Sequence, residues 1–377
     1  MKHPRALWAL LFISLLAPIP SRASLIINAT FDSSITSDAN SAIIESSILT
    51  AIGVFESTYS TNITVPIYFQ EGGGLGGSEF YYYTATYSTF YSQLVSKDAN
   101  PAAIAGLTAN GGNSTHNPVN GTTSIDIKSA NARALGFNAP AGCIPTLISG
   151  TMQCTSGSGS SAVDGIITLN TSITYPPQSD NGSNYGLVST AEHEIDEVLG
   201  LGSSLENTSQ TSGDATVLGG NPAPEDLFRY NAAGSRTFAV NCGASAVAAY
   251  FSYSGATDLS QFNNACNGAD FADWTTGSYA QVQDAFGTPG TDPAYGSNEI
   301  AALSAIGYTV TAPEPGTWAL LTASLIALPF ARRKSKICER TSVVGSGLRP
   351  RRRASAWRRL AAPASAFQGS TNSVKGT

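Results

Sequence analysis

The chain has 377 residues, of which 42% are hydrophobic and 12% charged, with a formal net charge of −6. That figure hides an asymmetry: residues 24–311 hold 24 Asp/Glu against five Lys/Arg, a net charge of −19, while twelve of the 20 basic residues lie at or beyond Arg332. So acidic a body excludes nucleic acid as a partner; it is long enough for one large domain or two small ones, and no repeat of fixed period runs through it.

Residues 1–23 carry basic Lys2 and Arg5, an apolar run over 6–16 and the small-residue site Ser21-Arg22-Ala23. That is the pattern of a secretory signal peptide cut after Ala23, too short in its apolar part to span a membrane. Ile43, Ile44, Ile48, Leu49, Ile52 and Phe55 recur at helical spacing and predict an amphipathic helix over 37–60. NITVPIYFQ (62–70) alternates as a strand does. EGGGLGG (71–77) reads as a flexible loop running into the aromatic patch Tyr81, Tyr82 and Tyr83. Those glycines follow a strand but make no G-x-G-x-x-G phosphate loop that opens a helix, so no nucleotide site is expected. Residues 86–107 look helical in parts, 110–124 form a loop with His116 on the surface, and 132–137 suggest a short helix. Ile166, Ile167 and Leu169 make a short apolar strand, ended by Pro176-Pro177.

The stretch TAEHEIDEVLGLG begins at Thr190. At 100° per residue, Leu187, Val188, Ala191, Ile195, Val198 and Leu199 share an apolar arc, and Thr190, His193, Glu194 and Glu197 lie opposite. His193 and Glu197 are i, i+4 neighbours that can face one ion. Glu194 sits on the flank, where it reaches a water on that ion rather than the ion itself. Gly200 and Gly202 end the helix. Two ligands one turn apart with a carboxylate poised as base is what a hydrolytic metal site needs. The half that follows is Gly/Ser/Asn-rich, with strand-like runs at 236–240 and 246–255 and a helix leading to a strand over 299–310. Asp270, Asp273, Asp284 and Asp292 resemble calcium-loop chemistry only loosely, since no D-x-[DN]-x-[DN]-G loop is present. No G-x-S-x-G elbow opens a helix, so a serine hydrolase is unsupported. The order helix, strand, long insert, strand, helix and irregular half places the body in the α+β class.

Four cysteines fall in the body, and Cys338 lies apart from them. An even count in an exported body suggests disulfides with three possible pairings. The sequential one, Cys143–Cys154 and Cys242–Cys266, closes two short loops and is the expectation.

Near the C-terminus, Pro313, Glu314 and Pro315 precede 15 residues without charge (317–331) and then Arg332, Arg333 and Lys334. The apolar part is shorter than the roughly 17–25 residues of a full span. Over 312–334 this order resembles the PEP-CTERM sorting signal of Gram-negative bacteria. The resemblance implies recognition by a membrane exosortase, transient inner-membrane anchoring, cleavage near the motif, and release to the cell surface or extracellular matrix. Members of that group usually stop after the basic cluster, whereas here a basic, Ala/Ser-rich tail (335–377) with the composition of a disordered segment follows.

HEIDEVLGLGSS, in turn, resembles the H-E-x-x-H-x-x-G-x-x-H helix of the zincin metalloproteases, in their metzincin or matrixin-like branch. The match holds at His193, Glu194, Ile195, Leu199, Gly200, Leu201, Gly202 and Ser204, and the layout agrees over about 39–205. It extends, for a bacterial group of PEP-CTERM metalloprotease-like proteins, to DLFRY (226–230), the acidic DW…QDAF stretch (273–286) and the terminal IGY (306–308). The resemblance implies a small mixed sheet, an N-terminal helix, a central active-site helix, an irregular C-terminal half, a divalent metal (zinc first) and Glu194 as general base. The chain departs from it at the ligands. The second histidine position holds Glu197, the third holds Ser203, the methionine turn is absent, and residues 24–311 contain only His116 and His193. The expected ligand set is therefore His193, Glu197 and a downstream carboxylate, with Asp226 ahead of Glu206, Asp214 and Glu225. Mn or Fe competes with zinc for such a set. Asp226 also precedes an apolar pair and Arg229, where a structural ion pair is the competing role. Two functions stay open: an exported metallopeptidase or metallohydrolase acting on a peptide or protein, and a non-catalytic surface or exopolysaccharide-matrix protein on the same scaffold.

Overall fold

The computed structural model describes residues 24–97, 100–109, 113–206, 213–214, 216–217, 220–240, 248–311 and 373–375. The expected signal peptide (1–23) and sorting segment (312–334) lie outside them, as does most of the tail (335–377). The first strand, β1 (Ile26–Phe31), leads through a single-turn helix, α1 (Ser33–Thr36), into α2 (Ser41–Thr58). Asp32 caps α1 by accepting from the Ser34 N–H at 2.7 Å. Ile44, Ile48, Ala51, Ile52 and Phe55 form the buried face of α2. Ile43 and Leu49, assigned to that face from spacing, are exposed, because each lies a step of about 100° from a buried residue, Ile44 and Ile48 respectively, which carries it off a narrow stripe.

β2 (Thr64–Glu71) buries Val65, Ile67 and Phe69 by strict alternation. β3 (Gly76–Thr86) is an 11-residue strand beginning inside the glycine-rich stretch expected to be loop. Two short helices follow, α3 (Tyr87–Ser96) and α4 (Pro101–Thr108), then β4 (Ser124–Lys128) and α5 (Ser129–Ala134). The insert contains a hairpin of β5 (Cys143–Ile148) and β6 (Thr151–Ser156), stapled by the Cys143–Cys154 disulfide. Cys266 is disulfide-bonded too; Cys242, its expected partner, lies outside the described residues. The apolar run becomes β7 (Gly165–Leu169), the central strand.

The strands β1, β2 and β7 are parallel neighbours. β3 lies antiparallel to β7 through 76–80 and antiparallel to β4 through 82–86. The sheet is thus mixed, and with the seven helices among the described residues the molecule is α+β. Within the basic tail, Ser373–Lys375 pairs antiparallel with β3, using backbone groups that strand leaves open.

Helix α6 (Leu187–Leu199) lies across the sheet. Gly165 permits the close approach: a Cβ there would collide with Val198. All residues of α6 except Val188 and His193 are buried, the acidic ones included. Its polar side is covered by the irregular half, whose pieces are short: a 3-10 turn (Glu225–Phe228), the antiparallel pairs Arg229–Tyr230, Tyr250–Phe251 and Ser260–Gln261, and α7 (Ser297–Ala305). Fully buried Trp274, packed on Phe251 and Phe262, shares one continuous core with α2, β2 and α6. Tyr308 ties the last described segment to the end of α6 by donating to the Leu199 carbonyl at 2.7 Å. Among the described residues no helix is long and apolar enough to cross a membrane.

Candidate metal centre

Helix α6 starts and ends with borrowed support. Gly186 offers no capping side chain, so the Ser189 N–H in its first turn donates to Asp292 Oδ1 at 2.9 Å, a cap supplied from the C-terminal half. At the other end Gly200 turns the chain at φ 144°, where a β-carbon is disfavoured. Between these points the helix pitch brings His193 and Glu197 to one side.

His193 is fixed by its Nδ1, which lies 2.9 Å from the Val282 carbonyl. A carbonyl can only accept, so Nδ1 carries the proton and donates, leaving Nε2 as the free donor atom. Nε2 sits 3.7 Å from Glu197 Oε1 and 3.7 Å from Asp273 Oδ1. One ligand atom from each of His193, Glu197 and Asp273 lies within 4.8 Å of the others. Glu197 is held from behind: Ser78 Oγ on β3 donates to its Oε2, so Oε1 faces the histidine. Asp273 is placed by backbone on both sides. Its carbonyl accepts from the Asn263 N–H at 2.6 Å, and the next residue, Trp274, bonds the Gln283 carbonyl at 2.7 Å. The Trp274 indole N–H donates to Glu299 Oε1 at 3.1 Å.

Asp226, the expected third ligand, is not in this group. Its carboxylate accepts from the Ser203 hydroxyl and from the Ser204 N–H (3.1 Å), Ser204 hydroxyl (2.9 Å) and Ala223 N–H (2.9 Å). Both oxygens are therefore occupied in pinning the loop after α6. Ser203, where the zincin helix pattern that this stretch resembles has its third histidine, is part of that clasp. Glu225 accepts from the Gly202 N–H at 2.7 Å, and the side chains of Glu206 and Asp214 lie outside the described residues. His116 is exposed, as expected for a surface loop. Asp273 itself belongs to the DW…QDAF stretch marked by the resemblance. That stretch and the loose calcium-loop likeness of Asp273 were the available signals, since no spacing rule links it to α6.

Charge in the centre is lopsided. Burial pushes the Glu194 carboxyl well up, with Glu197 adding to it against His193 and Lys128. Burial would raise Glu197 as well, but the bond and charge of His193, then Lys128 and Ser78, hold it below the usual value. The two carboxyls are driven apart, one toward the acid and one toward the carboxylate. Burial would lower the His193 imidazole, yet Asp273, Glu197 and Glu194 together raise it well above its ordinary range. Burial likewise pushes Asp273 well up, although His193 opposes it. The nearby cation is Lys128, which packs 3.5 Å over the Phe80 ring and donates to the Leu201 carbonyl. Burial lowers its amine despite attraction from Glu197, Asp270, Glu225 and Asp273. Glu194 Oε2 is buried without a hydrogen-bond partner.

Part of the group opens on a cleft of about 520 Å³, whose lining does not include Glu197. His193, Glu194 and Asp273 line it, with Gly74–Gly76 on one wall and 280–288 on the other. Gly76 is needed there, because a Cβ would collide with the Glu194 carboxylate. A concave site that mixes apolar residues such as Leu75, Ile173 and Val282 with convergent polar groups suits a bound ligand. Comparison of the chain with protein-family models, with curated proteins and with solved structures finds no match in any of the three.

Proposed function

We propose that this protein is an exported metallohydrolase, a metallopeptidase of zincin type, with His193, Glu197 and Asp273 as metal ligands and Glu194 as general base. The observation that carries the reading is the convergence of one imidazole nitrogen and two carboxylate oxygens within 4.8 Å, with His193 and Asp273 opening on a cleft. The donor set fits a divalent cation. The imidazole tautomer is fixed with Nε2 free, Glu197 is oriented by Ser78, and borderline metals (zinc, manganese, iron) accept such a mixed N/O set. When bound, the metal would polarise a substrate carbonyl and lower the pKa of a water molecule.

The chain's own residues do the rest. Glu194 faces the cleft with Oε2 unpartnered, so it can take a proton from a water at the floor and return it to a leaving amine. Burial and Glu197 hold this carboxyl well above its usual range in the metal-free protein, and a cation bound beside it would bring it down toward the carboxylate that a base needs. The short helix-to-cleft path fixes Glu194 relative to His193 through the helix pitch, not through a mobile loop. Export rests on the 1–23 and 312–334 sequences and their resemblance to sorted proteins, with an exosortase as the processing partner. The acidic body agrees with life outside the cell.

The test is metal content of the purified protein together with casein hydrolysis before and after chelation. One equivalent of metal and chelator-sensitive hydrolysis are expected. His193→Ala should lose the metal, whereas Glu194→Gln should keep it and lose hydrolysis. A protein with no stoichiometric metal and no such hydrolysis would be the non-catalytic matrix protein instead.

A further inference from the structure

We propose that Asp284 makes the cleft selective for a cationic group, either an arginine or lysine side chain or a free amino terminus. The proposal rests on the hydrolase reading for its substrate but not for its binding. Asp284 lines the same cleft as His193, Glu194 and Asp273. Its backbone is fixed beside the metal ligand: Asp284 bridges Trp274, and the Ala285 N–H donates to the Trp274 carbonyl at 2.9 Å. Its Oδ2 accepts from the Gln281 N–H at 2.9 Å. Its Oδ1 is buried and has no hydrogen-bond partner. A carboxylate oxygen left so is costly unless a donor from outside completes it.

Nothing in the cleft completes it. The lining contains no lysine or arginine. Glu299, which acts on Asp284, is itself acidic, and the imidazole of His193 faces the proposed metal group instead. The walls suit a cation with an apolar stem. Val282 and Phe286 line the cleft, and Phe286 is 50% exposed, available to stack under a guanidinium or cover a methylene chain. The strongly acidic body draws such substrates in.

The experiment measures binding of fluorescent peptides to the full-length protein by anisotropy, in chelator so that nothing is cleaved. Three peptides are compared: acetyl-capped with arginine, the same with neutral citrulline, and a leucine peptide with a free amine. One charge-assisted contact predicts roughly 10- to 100-fold tighter binding of the arginine or free-amine peptide than of citrulline, and the tighter of the two names the source of the charge. Asp284→Asn keeps an acceptor for the Gln281 N–H, so it should fold; it should lose the preference, and Asp284→Glu should retain it. Equal affinity for all three peptides, or a preference that survives in a folded Asp284→Asn protein, overturns the proposal. Charge-selective binding without metal-dependent cleavage would refute the hydrolase reading and leave the subsite standing, and cleavage without charge selectivity would do the reverse.

Discussion

The two halves of the described chain place functional groups by different physics. In the first half, a sheet and a helix do it by period: Gly165 lets α6 close on β7, and one helical turn sets His193 beside Glu197. In the second half, residues 220–311, hardly any regular structure exists, yet Asp273, the Val282 carbonyl, Asp284 and Asp292 are each held in place. There the work is done by buried aromatic packing around Trp274 and by single backbone hydrogen bonds. The proposed ligand set takes groups from both halves, so it exists only when they are docked. Metal binding would then report their docking as well as the proposed chemistry.

The largest test of this contrast compares one ligand from each half. Asp273→Asn and Glu197→Gln should each lower metal affinity by orders of magnitude, read by competition with a chromogenic chelator. If Asp273→Asn binds metal like the unmodified protein, the irregular half contributes no ligand and the contrast collapses. A smaller effect is expected from Ser78→Ala, which removes only the group that aims Glu197. Loss of such an orienting contact typically costs about 10- to 100-fold in metal affinity. Serine at 78 lies on β3, so unchanged affinity would show that α6 alone orients Glu197.

How much of this was legible in the sequence follows the same division. The buried arc of α6 and the central strand β7 were readable because their apolar residues repeat at the period of the element. The start of β3 was not: glycines at 76 and 77 weaken local strand preference, and pairing with β7 decides the matter. The hairpin of β5 and β6 was hidden for a similar reason, since its order comes from cross-strand pairing and a disulfide. At the site, the local pair His193 and Glu197 and the flanking Glu194 came from helix spacing. Asp226 was the nearest downstream acid with a family signature, but its neighbours Ser203 and Ser204 engage both its oxygens. Asp273 and Asp284 come together through non-periodic backbone bridges, and no spacing in the chain encodes those.

The docking of the halves also has a pH signature in the metal-free protein. Burial, then Asp292 and Glu299 of the irregular half, push Glu192 from an ordinary 4.5 to about 8. Below the unfolded value both states hold the proton and folding carries no penalty. As pH rises from about 4.5, the unfolded chain releases the proton while the folded one keeps it, so stability falls until the folded group ionises near 8. A melting temperature that declines by several degrees across this window is expected. Glu192→Gln should make the decline shallower, leaving the part that Glu194 and Asp273 contribute, and an equally steep decline in that variant would assign it to those other carboxyls.

The smallest effect belongs to Asp292, which acts on α6 in two opposed ways. It caps the helix through the Ser189 N–H, and it raises Glu192 by like charge. Replacing a capping residue by alanine costs about 0.5–2 kcal/mol, and an exposed cap such as Asp292 belongs at the low end of that range. At pH 6 Glu192 is protonated, so Asp292→Ala should show the lost cap alone. Above pH 8 Glu192 ionises, the same substitution also relieves repulsion, and its net cost should shrink. Chemical denaturation of both proteins at the two pH values measures this directly. A cost that is the same at both, or that grows with pH, would mean that Asp292 touches the helix only as a cap, and that the irregular half governs the ionisation of α6 through burial rather than through charge.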